Sequence, residues 1–297
     1  MNDIFISIAS YKDPELLPTI IDLLEKATNP DRITVGLAWQ HGDEHDGKFP
    51  GQVRLLDIKA EESKGACWAR ARIQEELYDG QDYYMQLDSH HRFAQGWDDT
   101  LIDMLDECDS YKPVLTSYVP AYTPGVTPET EFNNLWGMRA GDFCKDTNVL
   151  LFFPATINKT ETPIPARFMS GHFIFTYGDF VKQVPYDPNL YFHGEEITLA
   201  VRAWTHGWDM FHPNKSVVLH EYTREGRTKQ WDDDKEWWKK DVSSKERASQ
   251  LLLGQLDDEK YGLGNVRTLS EYQSVMQVDF EKCTVSKETQ QVPYLKS

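Results

Sequence analysis

Tyr83-Tyr84-Met85-Gln86-Leu87-Asp88-Ser89-His90-His91-Arg92-Phe93 is the stretch whose reading decides the fold. Its first five residues are aromatic or apolar with one amide, the pattern of a short buried strand, and the run ends on an aspartate. Open α/β sheets bind ligands outside the carboxyl ends of their strands, so Asp88 is delivered to the edge where chemistry is expected. Alternate residues of an extended segment point the same way. Asp88 and His90 therefore converge, and Ser89 faces away. Oxygen plus imidazole ligation suits a divalent cation, Mn²⁺ foremost and Mg²⁺ second, with positions left open for other oxygens. Taken alone, an Asp-x-His triplet is more often a turn cap beside a backbone-bonded histidine. The balance shifts at Val217-Val218-Leu219-His220, where a second apolar strand ends in a histidine that supplies a third ligand.

Upstream, the β-branched and aromatic run Ile4 to Ala9 reads as a buried strand that stops at Ser10-Tyr11-Lys12-Asp13-Pro14. Glu15 to Ala27 has helical spacing, Ile33 to Trp39 reads as the next parallel strand, and Val53 to Ile58 as a third. Cys67 to Tyr78 reads as a helix leading into the strand before Asp88. The expected fold is α/β with a mixed central sheet, its first half at about 1–113. From Val114 onward, strand-like segments alternate with Pro-rich loops such as Tyr118 to Pro128, giving a second half of about 114–225. Residues 226–297 read as a helical extension and tail packed on the same domain. Leu150 to Phe153 and His172 to Thr176 are strands in this reading, and Glu196 to His206 is a helix.

With 40% hydrophobic residues, 9 Trp, 14 Tyr and 14 Phe, the chain of 297 residues is folded rather than disordered. A net charge of −17 gives no general attraction for phosphate backbones, and Lys and Arg do not cluster, so a nucleic-acid partner is not favoured. Asp232 to Asp234 and Asp257 to Glu259 read as solvated surface. The sequence shows no leader-like start and no apolar run of membrane length, so no membrane association is expected. Cys67, Cys108, Cys144 and Cys283 are widely spaced and fit neither a disulfide framework nor a CxxC motif, which points to the cytoplasm.

Other segments carry chemistry. His193-Gly194-Glu195-Glu196 places two carboxylates at a loop-to-helix junction. One of them serves the helix N-terminus. The other is a catalytic candidate, holding substrate hydroxyls or acting as a general base. Arg70, on a helix after Gly65, has the fork to pair with a diphosphate, an ion-pair role being the alternative. Lys64 and Gly65 read as a flexible loop over a bound ligand or as a plain surface turn. In Ser170-Gly171-His172, Gly171 permits close backbone approach to a ligand. His172 is read as a satisfied structural histidine, and Trp136 and Trp68 as core. His41, His45, His91, His206 and His212 receive no role.

Asp88-Ser89-His90-His91-Arg92-Phe93, His193-Gly194-Glu195-Glu196, His220-x-Tyr222-x-Arg224 and Tyr261-Gly262-Leu263-Gly264-x-x-Arg267-Thr268-Leu269 occur in order. With Ile4 to Leu16 and Lys64-Gly65-Ala66-x-x-Ala69-Arg70, they closely resemble the GlcNAc-transferase family that includes cytoplasmic enzymes modifying hydroxyproline on a ubiquitin-ligase adaptor. The resemblance runs to about Phe280. It implies a GT-A (Rossmann-like) nucleotide-sugar-binding fold with a donor half at about 1–113 and an acceptor half at about 114–225, a UDP-sugar donor, a metal bound through a DxH variant of the DxD motif, and retention at the anomeric carbon, in which case a donor phosphate oxygen is the base and Glu195 or Glu196 positions substrate. By position it assigns Asp88, His90 and His220 to the metal, and Ser10, Tyr11 and Arg70 to nucleotide and diphosphate contacts. Ser89, Gly171 and Arg224 complete the expected donor-binding set. The acceptor expected is a hydroxyl on a protein. A hydroxymethylated DNA base, or a silent sugar-binding module, is the alternative.

Overall fold

A computed structural model describes residues 2–42, 47–126, 131–223 and 226–295. In chain order its first half holds β1 (Ile4–Tyr11), α1 (Leu16–Lys26), β2 (Ile33–His41), β3 (Val53–Lys59), α2 (Ala66–Glu76), β4 (Tyr83–Leu87), β5 (His91–Phe93), α3 (Trp97–Asp106) and β6 (Pro113–Thr116). There follow β7 (Leu135–Phe143), β8 (Leu150–Ile157), β9 (Ile164–Pro165), β10 (Phe173–Tyr177), α4 (Asp179–Gln183), α5 (Glu195–Thr205), β11 (Asp209–His212) and β12 (Val218–His220). The last part contains α6 (Gln230–Asp233), α7 (Trp237–Leu252), α8 (Leu269–Met276), β13 (Val278–Asp279), β14 (Thr284–Val285) and α9 (Lys287–Gln291).

An eight-stranded mixed sheet runs in the order β3-β2-β1-β4-β10-β6-β11-β9. The first four strands are parallel, as the crossovers through α1 and α2 require, and β10 enters antiparallel beside β4. Ile4, Ile6 and Ile8 of β1 bury one face against Leu16, Ile20 and Leu23 of α1 and Leu101 of α3. Phe5 points the other way, into the cluster that holds Ile73 of α2. Burial on both faces explains why β1 reads as a continuous apolar run without alternation.

This topology builds the site. β4 ends at Leu87, and its antiparallel neighbour begins opposite, with Phe173 paired to Leu87. Asp88 and the Ser170-Gly171-His172 turn therefore meet at one sheet edge. Separately, β12 pairs with β5 so that His220 faces His91 across the ladder, one residue from His90.

Helix ends shift slightly from expectation: α5 starts at Glu195 and stops at Thr205. The acidic stretch at 232–234 lies at the surface, with Asp232 and Asp233 exposed, and carries ion pairs there. Asp233 accepts from the Tyr11 hydroxyl at 2.8 Å and from Lys12 Nζ at 2.7 Å, and Asp234 pairs with Lys240 at 2.6 Å. Within 257–259, Asp258 pairs with Arg247 at 2.6 Å. Among the described residues no helix is long and apolar enough to cross a membrane.

Candidate active site

The sheet edge opens into a cavity of about 680 Å³, in the range that takes a small-molecule ligand. Asp88, His90 and His220 line it, with ligating atoms within 4.8 Å of one another. His220 Nε2 lies 3.3 Å and His90 Nε2 3.7 Å from Asp88 Oδ2. Two elements far apart in sequence are thus brought to one point by the β5–β12 ladder.

The protonation states fit a cation. Burial alone would raise the Asp88 carboxyl, but the hydrogen bond from His220 and the charges of Arg70 and His90 outweigh it and hold the group well below its ordinary value. Burial and the neighbouring His172 hold His220 neutral, well below the usual imidazole range. An ionised carboxylate beside a neutral imidazole is what a divalent ion demands of its ligands. Orientation is fixed from behind: His90 Nδ1 lies 2.7 Å from Asp13 Oδ2 and also meets Arg227 Nη1, which turns Nε2 toward Asp88. The same Asp13 oxygen accepts from Ser89 Oγ at 2.7 Å and Arg227 Nη1 at 2.9 Å. His172 packs its ring 4.4 Å from that of His220, with Nδ1 on the Ser170 hydroxyl at 3.1 Å and Nε2 on that of Tyr222 at 3.2 Å. It is satisfied, as expected of a structural histidine, yet it forms part of the cavity wall.

Arg70 is buried in that wall. Its Nη2 donates to Asp88 Oδ1 at 2.6 Å, and its Nη1 to Glu195 Oε1 and, at 3.2 Å, to the Tyr186 hydroxyl. Tyr186 in turn donates to Glu195 and accepts from Gln86 Nε2 at 2.8 Å, while the Cys67 thiol reaches Glu195 Oε2 at 3.4 Å. Glu195 is thereby enclosed by donors. Glu196 differs, its oxygens accepting from the Gly171 amide at 2.8 Å and the Tyr118 hydroxyl at 2.8 Å. Burial pushes the Glu196 carboxyl up to about 7, partly offset by those two hydrogen bonds. A Cβ on Gly171 would lie 2.8 Å from Glu195 Oε1, so only glycine lets this turn approach the carboxylate. Gly65, at φ 110°, presses against the Tyr191 ring in the same way, and lines the cavity as the residue before α2.

The remaining expected donor residues do not all reach the cavity. Tyr11 and Ser89 line the cavity. Ser10 is fully buried, and its carbonyl accepts from Gln40 Nε2 at 3.1 Å. Arg224 lies outside the described residues. Several lining residues received no role in the sequence reading: Asp13, which lies within the Ile4 to Leu16 segment, Tyr118, Trp136 and Arg227. Trp136, expected in the core, faces the cavity from β7.

Comparison with known proteins agrees with this geometry. A search of curated proteins finds none that matches. Among solved structures, the crystal structure of GalNAc-T7 with UDP, GalNAc and Mn²⁺ matches at a TM-score of 0.58 and 15% identity, over 97% of this chain and 56% of that one. S. aureus TarS 1-349 in complex with UDP-GlcNAc matches at a TM-score of 0.47 and 11% identity, over 76% of this chain and 60% of that one. The chain thus spans little more than half the length of these neighbours. The likeness to GalNAc-T7 shows the GT-A fold. The family model described as glycosyltransferase (GlcNAc) matches residues 3–50 and 45–282, which include the Asp88 segment, the Glu195-Glu196 pair and the His220 strand. By that match the chain belongs to the GlcNAc glycosyltransferase family.

Proposed function

We propose that the protein transfers GlcNAc, or a closely related hexose, from a UDP-sugar to an acceptor hydroxyl on a protein, with a divalent cation, Mn²⁺ first, held by Asp88, His90 and His220. The observation that carries this reading is the convergence of those three ligands at the carboxyl edge of β4. When bound, the cation would stabilise negative charge on the departing diphosphate.

The chain's own residues supply the rest. Asp13 orients the His90 ring, and Arg70 holds Asp88 and Glu195 in register. Arg70 acts here by positioning carboxylates, its guanidinium being already committed to them, with diphosphate contact as its second role. Tyr11 and Ser89 face the nucleotide, Ser10 supports that edge, and Arg224 joins them by its place in the motif after His220. Gly171 admits the sugar beside Glu196, and Glu196 holds a sugar or acceptor hydroxyl while Glu195 positions it. A phosphate oxygen of the donor serves as base, giving retention. The acceptor class we favour is hydroxyproline, Ser or Thr, on the family resemblance. The four free thiols support a cytoplasmic setting. Residues 1–225 form the catalytic unit in this reading, and 226–297 a helical extension that lends Arg227 to the cavity.

UDP release from a panel of UDP-sugars, with Mn²⁺ or with EDTA, tests the proposal without knowledge of the acceptor. Release from UDP-GlcNAc that needs the metal and is lost in Asp88→Ala is the expected result. Equal release in EDTA, or by the variant, overturns the metal assignment.

A further inference from the structure

His193 is a second kind of group in the same cavity. It sits in the turn between Tyr191 and α5, lines the cavity, and keeps a third of its side chain exposed. Its Nδ1 lies 2.7 Å from Asp241 Oδ1 on α7. Asp241 is buried, and its other oxygen pairs with Lys245 at 2.7 Å. Burial would raise this carboxyl, but the bonds from Lys245 and His193 outweigh it and keep it ionised. An ionised carboxylate only accepts, so Nδ1 carries the proton. In the neutral ring the lone pair is then on Nε2, which makes no hydrogen bond among the described residues.

The turn that carries this imidazole is held from several sides. Ser244 Oγ donates to the His193 carbonyl at 2.8 Å and accepts from the Tyr191 amide at 3.0 Å. Gly194, at φ 97°, lies so near α7 that a Cβ would meet that of Ala248 at 2.6 Å. Such packing is the support a binding group needs to hold its direction. Beside it, Phe192 packs edge-on at 5.2 Å from the His193 ring and 5.3 Å from Trp231, and both aromatic residues line the cavity. The partners of His193 are Asp241, Phe192 and Ser244, all outside the metal cluster and the Arg70 network. It is therefore available to a molecule other than the donor diphosphate.

We infer that His193, oriented by Asp241, binds the acceptor: its Nε2 receives a hydrogen bond from the hydroxyl-bearing unit, whose carbon skeleton rests on Phe192 and Trp231. This rests on the glycosyltransferase reading above. An aromatic wall with one oriented lone pair suits a compact, ring-bearing hydroxyl compound with an apolar face.

His193→Asn separates binding from a merely structural role. An asparagine amide can still donate to Asp241 in place of Nδ1–H, but it has nothing in the place of Nε2. The probes are water and N-acetyl-4-hydroxyproline methylamide, with N-acetylserine methylamide as a second hydroxyl, and the readout is glycosylated product relative to UDP-GlcNAc hydrolysis. The transfer-to-hydrolysis ratio should fall about tenfold in His193→Asn, the equivalent of about 1.4 kcal/mol for one lost hydrogen bond. Asp241→Ala, which frees the ring, should lower the ratio in the same direction. An unchanged ratio in both variants, with both rates moving together, shows a structural staple and overturns the inference. So does a wild type that hydrolyses UDP-GlcNAc yet glycosylates neither hydroxyl probe. A wild type that releases no UDP under any condition counts against the transferase reading instead.

Discussion

Arg70 donates to one oxygen of Asp88 at 2.6 Å, and the opposite oxygen of the same carboxylate faces His220 Nε2 at 3.3 Å. The guanidinium thus fixes the plane of a carboxylate whose free side belongs to the ligand cluster. Its second arm does the same for Glu195. A planar fork serves two carboxylates at once, which a lysine ammonium does not.

Arg70→Met keeps the apolar stem of the side chain and removes the fork. Glu195 then remains buried without its cation, the change that costs most when an internal ion pair is broken. We expect a loss of about 3 kcal/mol in unfolding free energy. Urea denaturation of wild type and variant checks it, and a loss under about 0.5 kcal/mol, as for an ordinary surface substitution, would refute the anchoring role.

Asp13 acts one step further back. Asp13→Asn keeps the size of the side chain but takes away the charge that faces His90 Nδ1 and the Arg227 guanidinium. Changes of this kind in the residues behind metal ligands cost about 10- to 100-fold in affinity. Calorimetric titration of Mn²⁺ into the two proteins should show a shift of that size, with far-UV circular dichroism unchanged. Equal affinities would mean that His90 is oriented without Asp13.

Asp13 also shows where sequence reading stops. Asp88 and His90 were legible because a buried strand delivers them and because alternation along an extended chain is local geometry. His220 was legible as the end of another apolar strand. Asp13 stands in a stretch that reads as a loop, Ser10 to Pro14, and only the fold carries it 76 positions along the chain to Ser89. The same holds for Tyr186 and Arg227, which lie in no periodic pattern. The first parallel strands were readable because burial on both faces writes itself as continuous apolar runs. In the mixed half the strands at Leu150 and His172 were readable one by one, but the entry of β10 beside β4 depends on long-range pairing rather than on local propensity. The Glu195-Glu196 pair was readable as a pair, but its division into an enclosed and a cavity-facing carboxylate depends on Arg70, Tyr186 and Tyr118, which come from three other elements or loops.

That division gives a prediction in pH. The Glu196 carboxyl is pushed from its ordinary 4.5 up to about 7, by burial first and by Glu195 as well, against the Gly171 amide, the Tyr118 hydroxyl and the Arg70 charge. Between pH 4.5 and about 7 the folded protein therefore binds more of this proton than the unfolded chain does. Stability from this group falls as pH rises through that window and is level above it. Glu196→Gln carries no such proton, so its unfolding free energy relative to wild type should climb from pH 4.5 to about 7 and then stay constant. The rate moves the other way in wild type. If the carboxylate is the form that holds a substrate hydroxyl, transfer rises through pH about 7, and that limb is missing in Glu196→Gln. Paired denaturation and rate profiles check both signs. A variant whose stability difference is flat across the window would show that Glu196 is ionised throughout, and a retained rate limb would assign the titration to another group.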